Sequence, residues 1–317
     1  MEGACGAGFA ARSGWLEALA LTDFRPRLAI LCARRGGRLA GAVPVAVSRR
    51  FGMSWARSLP FGTYGGPLTA ADDPDPGAVR AALARAFDEW LERERIAGGE
   101  VVHAPLVAGA GSDPAWAALA GRVTAGAAHI VDLTAGREAV QAGLRGATRR
   151  GLRHAERAGV EFHERPEALA EVHALYLQQS REWGLARPYP LAFLRAVLAQ
   201  PSAFARLFVV TCGGRLEAGM MALSGGGETF LWWSGATRAS RRSLSYPYLI
   251  HGIIEHACAA GQRRANIGSS GGREALHYFK EGMGAVPLPI FTYHLRPRRA
   301  DLRYRVYALV RAARRRT

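Results

Sequence analysis

The chain contains one sequence pattern twice. Residues 27–47 read RLAILCARRGGRLAGAVPVAV, and residues 206–224 read RLFVVTCGGRLEAGMMALS. Both segments contain Arg-Leu, an apolar run, Gly-Gly-Arg-Leu and a second apolar run in the same order. Two β-rich runs joined by Gly-Gly are typical of a hairpin, because glycine readily adopts the positive φ angles of a tight turn. The repeat therefore predicts two related β-hairpins about 180 residues apart.

The segments that follow the two hairpins also correspond. After the first, Asp75 and Pro76 predict the N-cap and first residue of a helix, and residues 100–104 form a short strand. After the second, the aromatic strand 230–236 leads into another helix and then a strand at 264–268. The apolar faces expected to point inward are Val79, Leu83, Phe87, Trp90 and Leu91 in the first helix and Leu249, Ile250, Ile253, Ile254 and Ala257 in the second. The order strand, strand, strand, helix, strand predicts a duplicated α/β domain.

The length of 317 residues suits two domains with separate cores. We place them at residues 1–127 and 128–297, followed by a tail at 298–317. No apolar run reaches the roughly 18 residues of a membrane span. The first residues lack a basic region before an apolar core, which argues against a secretory signal. These features predict a cytoplasmic protein.

The cysteines and histidines give no metal signature. Cys5, Cys32, Cys212 and Cys258 show no Cys-x-x-Cys spacing and no Cys/His cluster. We expect reduced, mostly buried thiols. His251 and Glu255 share one helix face, but two ligands do not make a metal site.

The formal net charge of +16 is concentrated at the C-terminus. Between Arg296 and Thr317, nine arginines and one acid give a net charge of +8. Apolar residues recur there at helical spacing: Leu302, Val306, Leu309 and Val310. One interpretation is a helix that docks on an anionic membrane surface, at the inner face of the membrane, or on RNA phosphates. The other is a solvated capping helix.

A second basic feature lies in the predicted helical region 135–200. Arginines recur there at four-residue spacing: Arg145, Arg149, Arg153 and Arg157. They predict a basic ridge that either faces solvent or binds phosphate. Gly143, Gly146 and Gly151 weaken the helix prediction itself.

The sequence 266–274, Asn-Ile-Gly-Ser-Ser-Gly-Gly-Arg-Glu, leads into a short helix that holds Lys280. A strand ending in a Gly/Ser loop before a helix exposes backbone amides that can bind an oxyanion or phosphate, although an ordinary surface loop has the same composition. Lys280 is the only lysine, since the other 41 of the 42 strong bases are arginines. Lysine differs from arginine in being a compact charge that can lose its proton. A chance lysine on a solvated helix is the alternative.

Residues 268–285, with a strand-end glycine, a Gly/Ser loop and aromatic-Phe-Lys-x-x-x-Gly, resemble a signature of Fem-type aminoacyltransferases. That family consists of double-domain members of the GNAT acyltransferase superfamily. Residues 149–160 resemble its basic helix opening the second domain, residues 230–236 its aromatic strand, and residues 64–67 the matching stretch of its first domain. The resemblance covers most of residues 25–295. It implies an α/β (α+β) chain with two tandem GNAT-like domains, each a mixed central sheet flanked by helices.

The resemblance also implies a site in the second domain, with the acceptor in a channel between the domains. Lys280 is then the catalytic residue, which stabilises the oxyanion as an amine attacks an activated acyl carbonyl. Arg187 resembles the arginine that grips acceptor phosphates. The other residues expected to bind substrate are Tyr64, Tyr189, Trp232, Trp233, Ser269 and Ser270, and those expected to bind phosphate are Arg149, Arg153, Arg238, Arg241 and Arg242. One of the two adjacent tryptophans should be core, because neighbouring strand residues point to opposite faces.

His277 lies three residues before Lys280 and either packs or relays protons. No Ser-His-Asp arrangement is readable, so no covalent intermediate is expected. The long RNA-binding helical arm of some Fem enzymes has no counterpart here. Residues 237–246 lack the glycines with which acetyl-CoA-dependent GNAT enzymes approach pyrophosphate. Acyl-CoA is therefore the less favoured donor.

Three functions remain open from the sequence. The first is a Fem-like transfer of an aminoacyl or acyl group to a small-molecule or lipid-linked amine, such as a cell-envelope (peptidoglycan) precursor. The second is an acyl-CoA-dependent N-acetyltransferase of exopolysaccharide or natural-product assembly. The third is a non-catalytic basic module that binds RNA or anionic membrane. No tightly bound cofactor or metal is expected, and the donor co-substrate is either aminoacyl-tRNA or acyl-CoA.

Overall fold

The structure is a computed structural model that describes residues 4–5, 13–22, 25–50, 52–105, 110–184, 188–200 and 204–297. Contacts between Cα atoms divide the chain into two compact units. Unit 1 comprises Met1–Ala7, Phe24–Gly126 and Ile290–Thr317, and unit 2 comprises Gly8–Asp23 and Ala127–Pro289. The predicted domain limits at 127/128 and 297/298 stay predictions.

Both units contain runs of strands followed by helices. The strands are β1 (Ala4–Cys5), β2 (Arg27–Arg35), β3 (Arg38–Arg50), β4 (Met53–Arg57), β5 (Leu68–Ala70), β6 (Gly98–Val102), β7 (Arg122–Asp132), β8 (Val160–Glu164), β9 (Ala205–Cys212), β10 (Arg215–Gly225), β11 (Glu228–Ala236), β12 (Arg264–Ser269) and β13 (Val286–Leu295). The helices are α1 (Ser13–Leu19), α2 (Pro76–Arg93), α3 (Pro114–Leu119), α4 (Gly136–Gly143), α5 (Gly146–Arg157), α6 (Leu169–Glu182), α7 (Leu191–Leu198), α8 (Ser245–Ala259) and α9 (Glu274–Gly282).

Unit 1 is built on a mixed sheet in the order β1-β5-β3-β4-β6-β13, with β2 also paired to β3. Only β4 and β6 run parallel among these pairs. Helix α2 covers the sheet with the predicted apolar face, which is buried. The helix begins as expected. The Asp75 side chain accepts a hydrogen bond from the Ala78 amide at 2.9 Å. Pro76 suits the first turn because the backbone N–H that proline lacks would have no acceptor within the helix there.

Unit 2 has a second mixed sheet in the order β8-β9-β10-β11-β12-β7. Here β11 and β12 form the parallel pair, and the other neighbours are antiparallel. Helix α8 buries all five residues that its sequence pattern placed inside. It packs with α4 and α5 in one apolar core, to which Val140, Leu144, Leu152 and Ala155 contribute.

The predicted fold class is confirmed, because β2-β3-β4-α2-β6 in unit 1 repeats as β9-β10-β11-α8-β12 in unit 2. The first hairpin pairs Arg27 with Val47, the two ends of the repeat segment. Its turn glycines have φ angles of +54° and +80°, and those of the second hairpin, Gly213 and Gly214, have +55° and +72°. Nothing lies within 4 Å of a Cβ built on Gly213 or Gly214, so the turn needs glycine for its backbone conformation rather than for space.

Three expectations need correction or lie outside the described residues. The predicted helical region 135–200 is interrupted by β8, which joins the sheet through β9. Cys32 is exposed, and Cys212 and Cys258 are only half-buried, so the expected burial of the thiols is wrong for these three. The tail 298–317 lies outside the described residues. Among the helices that the structure describes, none has the length and apolar character needed to span a bilayer.

Candidate active site

The parallel pair of unit 2 separates after a short stretch. Strands β11 and β12 pair from Glu228 with Arg264 to Phe230 with Asn266, although both strands continue beyond these residues. Backbone groups past this point are not paired across the two strands. Buried backbone polar groups need partners, so the end of a parallel ladder is a place where side chains or ligands bind main chain.

In unit 1 the equivalent place is filled by the protein itself. The Ser58 amide donates to the Glu100 carbonyl at 2.8 Å, and the Ser58 hydroxyl accepts from the Val102 amide at 2.8 Å. His103 follows β6, with its ring centroid 4.6 Å from that of Tyr293. Burial lowers the pKa of His103 to about 4, so this ring is neutral. The two copies therefore differ at this point, because in unit 2 side chains bind the main chain of β12 beyond the end of the ladder.

Lys280 of α9 lies at the end of the β11–β12 ladder. Its side chain is buried, and Nζ donates to the carbonyl oxygens of Gly268 and Ser269, both at 2.9 Å. Gly268 has a φ of +74°, a conformation that favours glycine and turns this carbonyl toward the lysine. An ammonium has three N–H groups, and the third has no acceptor among the described residues.

Burial lowers the pKa of Lys280 from 10.5 to about 8, and the positive charge of Arg273 lowers it further in the same direction. The side chain is still mainly an ammonium at neutral pH. An arginine would keep its charge at any physiological pH, and its planar guanidinium would not fit between two adjacent carbonyls in the same way. A compact and titratable cation is therefore specific to this position.

Two histidines lie next to the lysine. His129 of β7 is 1% exposed, and its Nδ1 is 3.2 Å from the Gly268 carbonyl oxygen. Its Nε2 is 2.8 Å from His277 Nδ1, and His277 Nε2 is 3.1 Å from Glu281 Oε1. Sequence reasoning raised His277 as a relay or packing residue but missed His129. A single histidine in an apolar strand, 148 residues from its partner, carries no sequence signal.

The Gly/Ser loop uses part of its hydrogen-bonding capacity internally. The Gly268 amide donates to Asn266 Oδ1 at 2.9 Å, and the Gly271 amide donates to Ser269 Oγ at 3.1 Å. Ser269 is exposed, whereas Ser270 is buried with Oγ 3.5 Å from both ring nitrogens of His129. The loop thus presents carbonyl oxygens to Lys280, while two of the amides expected to bind an anion already have partners.

The adjacent tryptophans of β11 point to opposite faces, as a strand requires. Trp233 is buried and packs against Tyr176, with ring centroids 5.3 Å apart. Trp232 is half-buried and stacks on Tyr189, with centroids 5.5 Å apart and planes at 15°. Trp15 of α1 meets Trp232 edge-on at 5.1 Å. Trp232 and Tyr189 therefore form one aromatic platform in unit 2, and Trp233 is core.

Two further predicted substrate residues stay predictions. Tyr64 is buried in unit 1, and Lys280 and the aromatic platform belong to unit 2. Arg187 lies outside the described residues. Within the described ranges, no three His, Cys, Asp or Glu side chains are grouped so that they could hold a metal ion.

The basic ridge is not a single row on one helix. Leu144 and Arg145 have extended backbone between α4 and α5. Arg145 Nη2 lies 2.7 Å from Glu281 Oε2, and Arg149 Nη1 donates to the Leu144 carbonyl oxygen at 2.6 Å. These two arginines bind groups of the protein itself. Arg153 remains exposed on α5.

A carboxylate lies at the start of α8, where the sequence suggested phosphate binding. Glu217 of β10 accepts hydrogen bonds from the hydroxyls of Ser243 and Ser245, on either side of Leu244, the residue that caps the helix. An acid at a helix N-terminus offsets the partial positive charge there. The three arginines expected to bind phosphate in this segment, Arg238, Arg241 and Arg242, are exposed, and Arg238 pairs with Glu182 at 2.7 Å.

Residues 142–280 match the family described as Acetyltransferase (GNAT) domain, and the match ends at Lys280. No curated protein matches the chain significantly in sequence.

Three solved structures resemble the chain at low sequence identity. FemX has a TM-score of 0.71 and 11% identity over 94% of this chain and 93% of its own. The C-terminal domain of a putative lysylphosphatidylglycerol synthetase from Agrobacterium fabrum has a TM-score of 0.61 and 16% identity over 95% and 91%. A tandem GNAT protein from the clavulanic acid biosynthesis pathway has a TM-score of 0.52 and 16% identity over 85% and 83%. The chain therefore has the fold of these tandem GNAT structures, and the residues that match the GNAT domain model lie in unit 2.

Proposed function

We propose that the chain is a Fem-like N-acyltransferase that moves an aminoacyl or other acyl group from an activated donor to an amine acceptor. The observation that carries this proposal is the position of Lys280. Its buried ammonium is held by two carbonyls at the end of the β11–β12 ladder, and its third N–H has no acceptor among the described residues. Acyl transfer to an amine passes through a tetrahedral intermediate with a developing oxyanion. An ammonium held in place in a partly dry site stabilises that charge without having to reorganise.

The aromatic platform supports an acceptor site in the same unit. Trp232 is partly accessible and stacks on Tyr189, so the pair offers an apolar surface with a polar edge. Such a surface suits the apolar part of an amine acceptor. FemX and the putative lysylphosphatidylglycerol synthetase suggest a cell-envelope precursor or a lipid-linked amine as the acceptor class.

Two donor carriers remain, and different observations favour each. The match to an acetyltransferase domain favours acyl-CoA. The carboxylate of Glu217 at the start of α8 disfavours acyl-CoA, because the pyrophosphate of CoA needs positive potential at this place. It thereby favours aminoacyl-tRNA. We propose aminoacyl-tRNA as the first candidate and acyl-CoA, as in an N-acetyltransferase, as the second.

The third hypothesis, a non-catalytic basic module, has less support. It depended on the tail, which lies outside the described residues, and on the arginine ridge. Glu281 offsets the charge of Arg145, and Arg149 uses an N–H group on the Leu144 carbonyl oxygen, so both arginines offer fewer free donors to a polyanion.

A donor panel tests the proposed function. The full chain is incubated with charged tRNAs or acyl-CoAs and candidate amines, and the products are read by mass shift. Transfer from charged tRNA that RNase abolishes supports the first candidate, and transfer from acyl-CoA that RNase leaves unchanged supports the second. Binding of RNA or vesicles without any transfer from either donor class contradicts the proposal and supports the third hypothesis.

A further inference from the structure

A chain of hydrogen bonds runs from the Gly268 carbonyl oxygen to the Glu281 carboxylate through two imidazole rings. The three contacts are His129 Nδ1 to Gly268 O at 3.2 Å, His129 Nε2 to His277 Nδ1 at 2.8 Å, and His277 Nε2 to Glu281 Oε1 at 3.1 Å. Both ends only accept, because a carbonyl oxygen and an ionised carboxylate have no proton to donate. Each of the three hydrogen bonds therefore needs a proton on an imidazole nitrogen.

Two neutral imidazoles carry two such protons, which is one fewer than the three hydrogen bonds need. The complete chain of bonds holds one additional proton as an imidazolium. The neutral form has one incomplete bond and can take a proton up. The same set of residues can therefore exist in two states that differ by a single proton.

His129 and His277 differ in their access to solvent. Burial lowers the pKa of His129 below its ordinary value, and the positive charge of Lys280 acts in the same direction, although the hydrogen bond to the Gly268 carbonyl opposes it. The His277 side chain is 42% exposed and adjoins the Glu281 carboxylate. His129 is thus the inner ring, and His277 is the outer ring that exchanges protons with solvent.

We propose that His129, His277 and Glu281 form a relay that carries a proton from the neighbourhood of Lys280 to solvent during acyl transfer. This inference rests on the N-acyltransferase function proposed above. At the inner end, His129 Nδ1 and Lys280 Nζ share the Gly268 carbonyl oxygen as acceptor. At the outer end, the Glu281 side chain is 32% exposed.

Amine acylation releases the proton that this relay removes. A basic amine reaches the enzyme as an ammonium at neutral pH and must lose one proton before its nitrogen can form the C–N bond. When the bond between the acyl carbon and the donor oxygen or sulfur breaks, a second proton passes from that nitrogen to the leaving group. The sum is amide, protonated leaving group and one proton. The relay passes that one proton to water.

Charged groups on the neighbouring elements lie near both ends of the relay. Lys280 and Arg273 contribute positive charge near its inner end. Arg145, between α4 and α5, binds Glu281 Oε2 at 2.7 Å and lies with its guanidinium carbon 4.2 Å from the centre of the Tyr278 ring. Arg145 holds the carboxylate beside His277, so it is a positioning residue for the outer end.

Histidine ring ¹⁵N NMR of the full-length chain tests the relay without any substrate. We expect the ring signals of His129 and His277 to respond to pH together, as one coupled pair. Glu281→Gln should shift the signals of both rings. The exposed pair His163 and Glu161, with Nε2 and Oε2 3.3 Å apart, is the matched control, because Glu161→Gln should affect only His163. Independent titration of the two relay rings, or no response to Glu281→Gln, would overturn the proposal.

A second experiment measures the activity of His277→Ala. This side chain is partly exposed, so its removal leaves the core intact. We expect kcat to fall about 100-fold and to recover in part when imidazole is added. His163→Ala should leave kcat unchanged. Loss of activity that imidazole does not rescue would mark a structural role and overturn the relay.

The two proposals fail in different ways. If His277→Ala retains full activity while Lys280→Ala is inactive, the relay is wrong and the N-acyltransferase function stands. If the wild-type chain transfers no acyl group from any donor of the panel, the proposed function is wrong, and the relay has no reaction to serve.

Discussion

The Nζ atom of Lys280 lies 2.9 Å from the carbonyl oxygen of Gly268, so the only lysine of the chain closes the end of β12. The strand brings the glycine and α9 brings the lysine, twelve residues later in the sequence. This bond places a compact cation at the point where the two parallel strands of unit 2 stop pairing.

Because the chain has one lysine, NMR of lysine-labelled protein gives a single side-chain signal. We expect this signal to titrate with a pKa of about 8. The folded state loses its proton at about pH 8 and the unfolded state at 10.5, so stability rises with pH between these values. The free energy of unfolding of the wild type, relative to Lys280→Met, should increase across this window. A signal that titrates at the ordinary lysine value would contradict the buried environment.

Gly268→Ala should disturb the lysine through its carbonyl partner. The positive φ of +74° makes alanine unfavourable by about 1 kcal/mol, and relief of that strain rotates the carbonyl away from Nζ. Gly261→Ala is the matched control, because its φ is +71° and nothing lies within 4 Å of the added Cβ. Both variants should lose similar stability in urea. Only Gly268→Ala should shift the pKa of Lys280, and equal pKa values in the two variants would argue against the carbonyl contact.

The two tryptophans should respond differently to truncation. Trp233→Ala should lower the free energy of unfolding by about 3–5 kcal/mol, because it empties a buried site. Trp232→Ala should cost less stability and should raise the KM for the acceptor, since it removes half of the aromatic platform. Urea unfolding and steady-state kinetics measure the two effects. An unchanged acceptor KM in a folded Trp232→Ala would remove the platform from the proposed site.

Replacing Arg149 or Arg153 by alanine tests whether each arginine supports the fold or binds a ligand. Arg149 donates to the carbonyl oxygen of Leu144 at the end of α4, so Arg149→Ala should cost about 1 kcal/mol of stability. Exposed Arg153 should change stability by less than about 0.5 kcal/mol when replaced by alanine. If α5 binds phosphate, Arg153→Ala should weaken RNA binding and reduce its salt dependence. Unaltered binding would identify Arg153 as a solvated surface residue.

Much of the fold follows from local sequence signals. The Gly-Gly turns specify both hairpins, and Asp75 with Pro76 specifies the start of α2. Only Arg145 departs from the predicted arginine ridge, because the extended backbone at Leu144 and Arg145 precedes α5. Arg149, Arg153 and Arg157 lie at four-residue spacing within that helix, as predicted.

The site was less predictable than the fold. Lys280 was identifiable because a single lysine among 41 arginines is a compositional signal. His129 had no such signal, since its contact with His277 depends on how β7 pairs with β12 across more than 130 residues of sequence. Glu217 reaches the start of α8 from a neighbouring strand, so its contact with Ser243 and Ser245 is also set by tertiary structure.

The most direct test of the account is the turnover of Lys280→Ala and Lys280→Arg with the donor and amine identified by the panel. We expect kcat to fall about 100- to 1,000-fold in both variants, because neither restores a compact cation between the Gly268 and Ser269 carbonyls. Unchanged thermal unfolding would show that the fold is intact. Wild-type turnover in Lys280→Arg would mean that any cation suffices there, and wild-type turnover in Lys280→Ala would contradict the role of this lysine in acyl transfer.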